Sequence, residues 1–116
     1  MYRSAQSAKR CRQIENFELN FSVNGVPTTP TFDGIDKNQV LSVQDLGTGS
    51  YKINLKEKSP QNVIVIGIVS LTAGAIFSVT ATDQSSVTIA CEDITGAPMD
   101  ASFNLCLNWL GSKHTF

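Results

Sequence analysis

The sequence predicts an all-β fold, an antiparallel β-sandwich of jelly-roll-like character preceded by an extended N-terminal arm. Three observations predict it. Apolar residues recur with a period of two in several short runs, and clusters of Gly, Pro, Asn, Asp and Ser separate those runs at frequent intervals. Outside the arm, no capped run of ten or more residues carries apolar positions at helical three-and-four spacing. Seven or eight short strands follow from this, and so many turns suit a sandwich or jelly roll.

The first strand is the clearest. Phe17, Leu19, Phe21 and Val23 alternate with Glu18, Asn20 and Ser22 and end at Asn24-Gly25, which reads as a half-buried strand entering a turn. Pro27 and Pro30 cannot donate ladder hydrogen bonds, and Asp33-Gly34 adds a turn signal, so this stretch reads as a loop or a sheet edge. Val40 to Gln44 alternates again, and Leu46-Gly47-Thr48-Gly49 supplies a reversal before Tyr51, Ile53 and Leu55. These two segments should form a hairpin. Lys56, Glu57 and Lys58 mark exposure, and Ser59-Pro60 breaks the strand.

Val63 to Thr82 is largely apolar, and Thr72-Ala73-Gly74 cuts it into strands Val63–Leu71 and Ala75–Thr82. Such strands are expected to form a hairpin, either buried on both faces or covered by a partner. A helix through Ile64, Val65, Ile66, Ile68, Val69, Ile76 and Val79 would carry many β-branched residues and two glycines, the latter costing up to about 1 kcal/mol each relative to Ala. The run is also short for a membrane span, which wants about 20 apolar residues. Asp83 to Ser86 reads as a turn, Val87 to Ala90 as a strand, and Thr95 to Pro98 as a loop. In the last strand Phe103, Leu105, Leu107 and Trp109 share one face opposite Asn104, Cys106 and Asn108, and Gly111 ends it.

The chain has 116 residues, enough for one core that buries roughly two-thirds of the unfolded surface. Charged residues make up only 16%, against a typical ~25%, as suits a surface partly covered by neighbours. Four of the nine basic residues, Arg3, Lys9, Arg10 and Arg12, fall within residues 1–14, where there is no acid. That divides the chain into a basic arm, 1–14, and a net acidic body, 15–116, expected to be a single β-sandwich domain. A basic arm of this kind is suited to an acidic partner surface. The first 14 residues lack the apolar stretch of a signal peptide.

The sequence holds few residues that could carry chemistry. His114 is the only histidine and lies two residues before Phe116, in a segment poorly suited to holding reactive geometry. Cys11, Cys91 and Cys106 form an odd set without CxxC spacing, which reads as free thiols in a reducing compartment rather than as a zinc site or disulfide framework. Asp83, Glu92, Asp93 and Asp100 fall in the later turns but match no calcium-loop spacing and read as solvated acids. Gly47-Thr48-Gly49 lacks the third glycine and following helix of a dinucleotide site. Asn20-Phe21-Ser22 meets the glycosylation pattern but sits inside a strand. The expectation is no enzyme, no metal and no cofactor, with at most sequence-blind attraction of the arm to phosphate.

The stretch Phe21 to Gly25, the Pro/Thr loop, Val40 to Gln44 and Leu46 to Leu55 resemble small virion proteins of tailed, short-tailed bacteriophages. The resemblance covers residues 17–110 in layout and 21–55 in wording. It implies a capsid cement or decoration subunit that binds the major capsid protein, often jelly-roll-like and assembled as a dimer or trimer. It also implies a place on the capsid surface of the virion after synthesis in the host cytoplasm. It carries over no site residue. The arm residues Arg3, Lys9, Arg10 and Arg12 are the candidate partner contacts, with the strand edges or the 63–82 segment as oligomer surfaces. Fourteen extended residues span up to about 45–50 Å, enough to reach a neighbouring subunit. Sequence-specific nucleic acid and membranes are not expected partners. A tail- or fibre-associated adhesin or carbohydrate-binding module is the alternative, for which Tyr2, Tyr51 and Phe116 are the aromatics not clearly assigned to a core.

Overall fold

Period-two segments become strands because one face of each can be buried only against another sheet. In the computed structural model, which describes the backbone of residues 14–112 and the side chains of residues 17–109, eight strands form two antiparallel four-stranded sheets. They are β1 (Ile14–Asn24), β2 (Thr31–Asp33), β3 (Val40–Gly47), β4 (Ser50–Leu55), β5 (Ile64–Ser70), β6 (Ile76–Thr82), β7 (Ser86–Glu92) and β8 (Ser102–Ser112). One short 3-10 turn, Lys37–Gln39, precedes β3. The sheet orders are β2-β1-β8-β5 and β3-β4-β7-β6, a sandwich-like all-β architecture.

The longest ladder joins the most distant strands. β1 and β8 pair from Ile14↔Ser112 to Asn24↔Ser102 without a register shift. This register sets Phe17 opposite Trp109, Leu19 opposite Leu107, Phe21 opposite Leu105 and Val23 opposite Phe103, so the apolar faces of both strands coincide. Tyr51, Ile53 and Leu55 of β4 and Val87, Ile89 and Cys91 of β7 meet them from the other sheet, and all are buried. Each large aliphatic side chain removed from water contributes roughly 1.5–3 kcal/mol. A shift of one residue in β8 would turn Phe103, Leu105, Leu107 and Trp109 to solvent, which holds the register.

The expected hairpin of β3 and β4 is present, with Gly47 and Gly49 at positive φ in its turn (130° and 73°). The expected hairpin over residues 63–82 is not. Its two strands belong to different sheets, β5 beside β8 and β6 beside β7. The turn between them is tied to the start of β8, where Leu71 N donates to Ser102 O (2.9 Å) and Ser102 N to Thr72 Oγ1 (2.9 Å). The chain therefore arches across the rim of the sandwich, with Gly74 at φ 77°. Nor is either strand buried on both faces. Each is the edge of its sheet and covers the core with one face only, through residues such as Val65, Ile68 and Phe77.

Candidate interaction surfaces

The outward residues of β1 and β8 are polar, and at one place they form the floor of a concavity of about 420 Å³. Asn20, Ser22, Asn104 and Cys106 lie along it, Ile35 rises on one side, and Ile66 and Val69 rise on the other. The Cys106 thiol is pushed above its usual range by burial, with the carboxylates of Glu18 and Asp36 acting in the same direction. A thiol so placed is a poor nucleophile at neutral pH. The concavity offers amides and aliphatic walls, a contact surface without an activated group.

Tyr51 is fully buried and is the principal polar node of the interior. Its hydroxyl lies 2.9 Å from Gly25 O and 3.0 Å from Asp100 Oδ1, so its one proton serves either acceptor, and it accepts from Ala101 N (3.2 Å). Asp100 Oδ1 also receives Gly49 N (2.9 Å). Burial pushes the hydroxyl well above its usual range, which keeps it protonated and makes it a tie between β4, the β1–β2 turn and the β7–β8 loop. A Cβ at Gly25 would press on the Ala101 carbonyl and the Tyr51 ring, so this close approach requires glycine.

The later turn acids are occupied with local backbone. Asp83 Oδ1 accepts from Ser85 N (2.7 Å), a bond that leads in holding its carboxyl below the usual range. Asp93 is held low first by the Thr95 hydroxyl and then by the Ala97 and Thr95 amides. Asp100 serves the tyrosine node. Among the described residues, no three His, Cys, Asp or Glu side chains gather as metal ligands. Cys91 is buried and free, and burial raises its thiol pKa.

The two flanks of the sandwich differ. On the β2/β3 flank, three-residue β2 leaves much of the β1 edge uncovered, and the following loop closes it: Asn20 N donates to Asp36 Oδ2 (2.7 Å) and Asp36 N returns to Asn20 O (3.2 Å). Asp36 thereby mimics a strand partner. Lys56 N donates to Gln39 O (2.9 Å) and joins the end of β4 to the 3-10 turn. Among the described residues, the β5/β6 flank has no such cover. The whole stretch 59–82 lacks Asp, Glu, Lys and Arg. On it Ile64 and Val69 are each 61% exposed and Leu71 57%, and Ile66, Ile76 and Val79 are also open to solvent. Among the described residues, no loop or side chain hydrogen-bonds across the free edge of Ile64–Val69 or Ile76–Val79.

The strand edges and the 63–82 segment expected to be oligomer surfaces are thus exposed, aliphatic and adjacent. Arg3, Lys9, Arg10 and Arg12 lie outside the described residues, as do Cys11 and His114. Trp109, by contrast, is buried against Phe17, with ring centroids 5.6 Å apart. Sequence reasoning missed the tyrosine node and the concavity, because both are assembled from residues distant in the chain. Alternation did place Tyr51 on one face with Ile53 and Leu55, but left open that it was a core residue with a polar task. No family model matches the chain, and no curated protein or solved structure matches it.

Proposed function

We propose that the chain is a non-enzymatic structural subunit of a tailed-phage virion, a cement or decoration protein that binds across major capsid protein subunits and stabilises the shell. The observation that carries this reading is the charge-free flank built from β5 and β6, on which several large aliphatic side chains stand exposed side by side. Contiguous apolar surface of this kind marks a site of association. Such a role needs extended contact and many copies rather than a reactive group. The described groups fit that need, since Tyr51 and the turn acids are engaged in holding loops.

The reading includes a capsid-surface location after synthesis in the host cytoplasm, a homo-oligomer, and no dependence on a membrane or on sequence-specific nucleic acid. The finer description of the sandwich as jelly-roll-like rests on its nested pairing, β1 with β8 and β4 with β7. The hairpins β1–β2, β3–β4 and β6–β7 lie within single sheets and are its local departures from repeated crossing between sheets. A tail or fibre adhesin is the second reading, favoured by the Asn20, Ser22 and Asn104 floor of the concavity. It ranks lower because Phe21, the aromatic residue beside that floor, is buried in the core.

The test is occupancy on purified phage shells that lack the protein. The full chain should bind to saturation and raise the temperature at which the shells open. The chain without residues 1–14 should fold but bind at least tenfold more weakly. Equal occupancy by the two would remove the arm from the proposal, and glycan binding in place of shell binding would favour the adhesin.

A further inference from the structure

We propose that the β5/β6 flank is a self-association surface on which a second copy of the chain docks about a twofold axis normal to the sheets. β5 pairs antiparallel with its own copy while β6 does the same in the other layer. The two strands are equal in length, seven residues each, they lie against one another, and among the described residues each is the free edge of its sheet. A lone peptide strand would satisfy one of these edges. A second copy carries both, at the same separation, one sandwich thickness or ~10 Å.

Charge supports the same occupant. An isologous contact sets a patch against itself, so any charge near its centre would meet its like. The absence of every charged residue from 59–82 removes that cost, and it also leaves a strongly acidic or basic partner nothing to attract. The opposite flank carries short β2, the Asp36 closure, the exposed Asp33–Lys37 pair and prolines 27 and 30, devices that discourage edge pairing. On β5 and β6 only one register irregularity each, between Val65 and Gly67 and between Val79 and Ala81, interrupts the ladder.

Area sets the strength. Seven residues at ~3.3 Å make each edge ~23 Å long, and two layers with their flanking side chains make a wall of roughly 500–600 Å² per copy, at the low end of specific interfaces. A reversible, concentration-dependent dimer is expected. This inference does not require the capsid reading, because it needs no shell.

Sedimentation of the full chain over a concentration series should shift from the 12.5 kDa monomer to twice that mass. Hydrogen exchange of β5 and β6 amides should slow in the dimer, while exchange in β2 and β3 should not change. Val69→Lys and, separately, Ile76→Lys should weaken the dimer at least tenfold with unchanged Trp109 fluorescence. Leu41→Lys, an exposed position on β3, should leave it intact. A chain monomeric at all concentrations, a trimer, or equal weakening by Leu41→Lys would overturn the proposal. Failure of shell binding with the dimer intact would count against the capsid reading alone.

Discussion

The β2/β3 and β5/β6 flanks present the same problem, the unpaired backbone at the end of a sheet, and solve it in opposite ways. On the first, Asp36 occupies the place of a missing strand on β1, and edge strand β3 carries the charge of Asp45 and two register irregularities. On the second, two seven-residue strands without a charge, β5 rich in Val and Ile, stand open among the described residues. Edge exposure is ordinarily guarded against because it invites pairing with other chains. A chain that guards one edge and leaves the other bare directs its associations to one side.

Both flanks pack on one core, and the severest test of this is Phe103→Ala. The Phe103 ring lies 5.8 Å from Tyr51 of β4 and 5.0 Å from Phe77 of β6, so it couples the two sides. A loss of about 3–5 kcal/mol in a single urea transition is expected. Two separate transitions would mean that the flanks unfold independently. Next in size is Asp36→Ala, which leaves the Asn20 amide without its acceptor and should cost about 1–2 kcal/mol in the same assay. On the bare flank, Ile76→Ser should change monomer stability by no more than about 0.5 kcal/mol, because that side chain touches little within its own subunit. Equal losses at Asp36 and Ile76 would erase the contrast.

The smallest effect is on pH. Asp33 is held low first by the Gly34 amide and then by Lys37, and Asp83 and Asp93 are held low by their own turns. A carboxyl with a depressed folded pKa stabilises the fold above its unfolded value, here near 3.8, and this contribution is lost as pH falls through the folded value. Amide exchange at pH 5 and pH 3 should therefore show loosening beside Gly34, Ser85 and Ala97. Residues 63–82, which contain no titratable side chain, should respond least.

Much of the fold was legible because β1, β4 and β8 each bury one face, and alternation is the direct imprint of that condition. What alternation lacks is neighbour order. The β5 sequence is apolar on both faces and β6 mixes Ile76, Phe77 and Val79 with Ser and Thr, patterns shared by strands buried inside a sheet and by strands kept bare for a partner. Only the sheet order decides between them. Thr72-Ala73-Gly74 likewise reads the same whether it closes a hairpin or arches over a rim, and its bonds to Ser102, far along the chain, select the arch. Tyr51 was legible as a strand residue, but its partners Gly25 and Asp100 come together only when both sheets are in place.

The pairing of β1 with β8 also governs the order of events during synthesis. The strand at the centre of one sheet is made last of the eight, so β1 and β5 have no shared neighbour, and the core has no Phe103, Leu105 or Leu107, until residues 102–112 leave the ribosome. Until then the aliphatic β5 and β6 segments are exposed on an incomplete sandwich, the condition in which edge strands aggregate. Cysteines aside, a chain truncated before β8 should therefore be found in the insoluble fraction, and the rate at which the complete chain folds should depend on how fast β1 and β8, the first and last strands in sequence, meet.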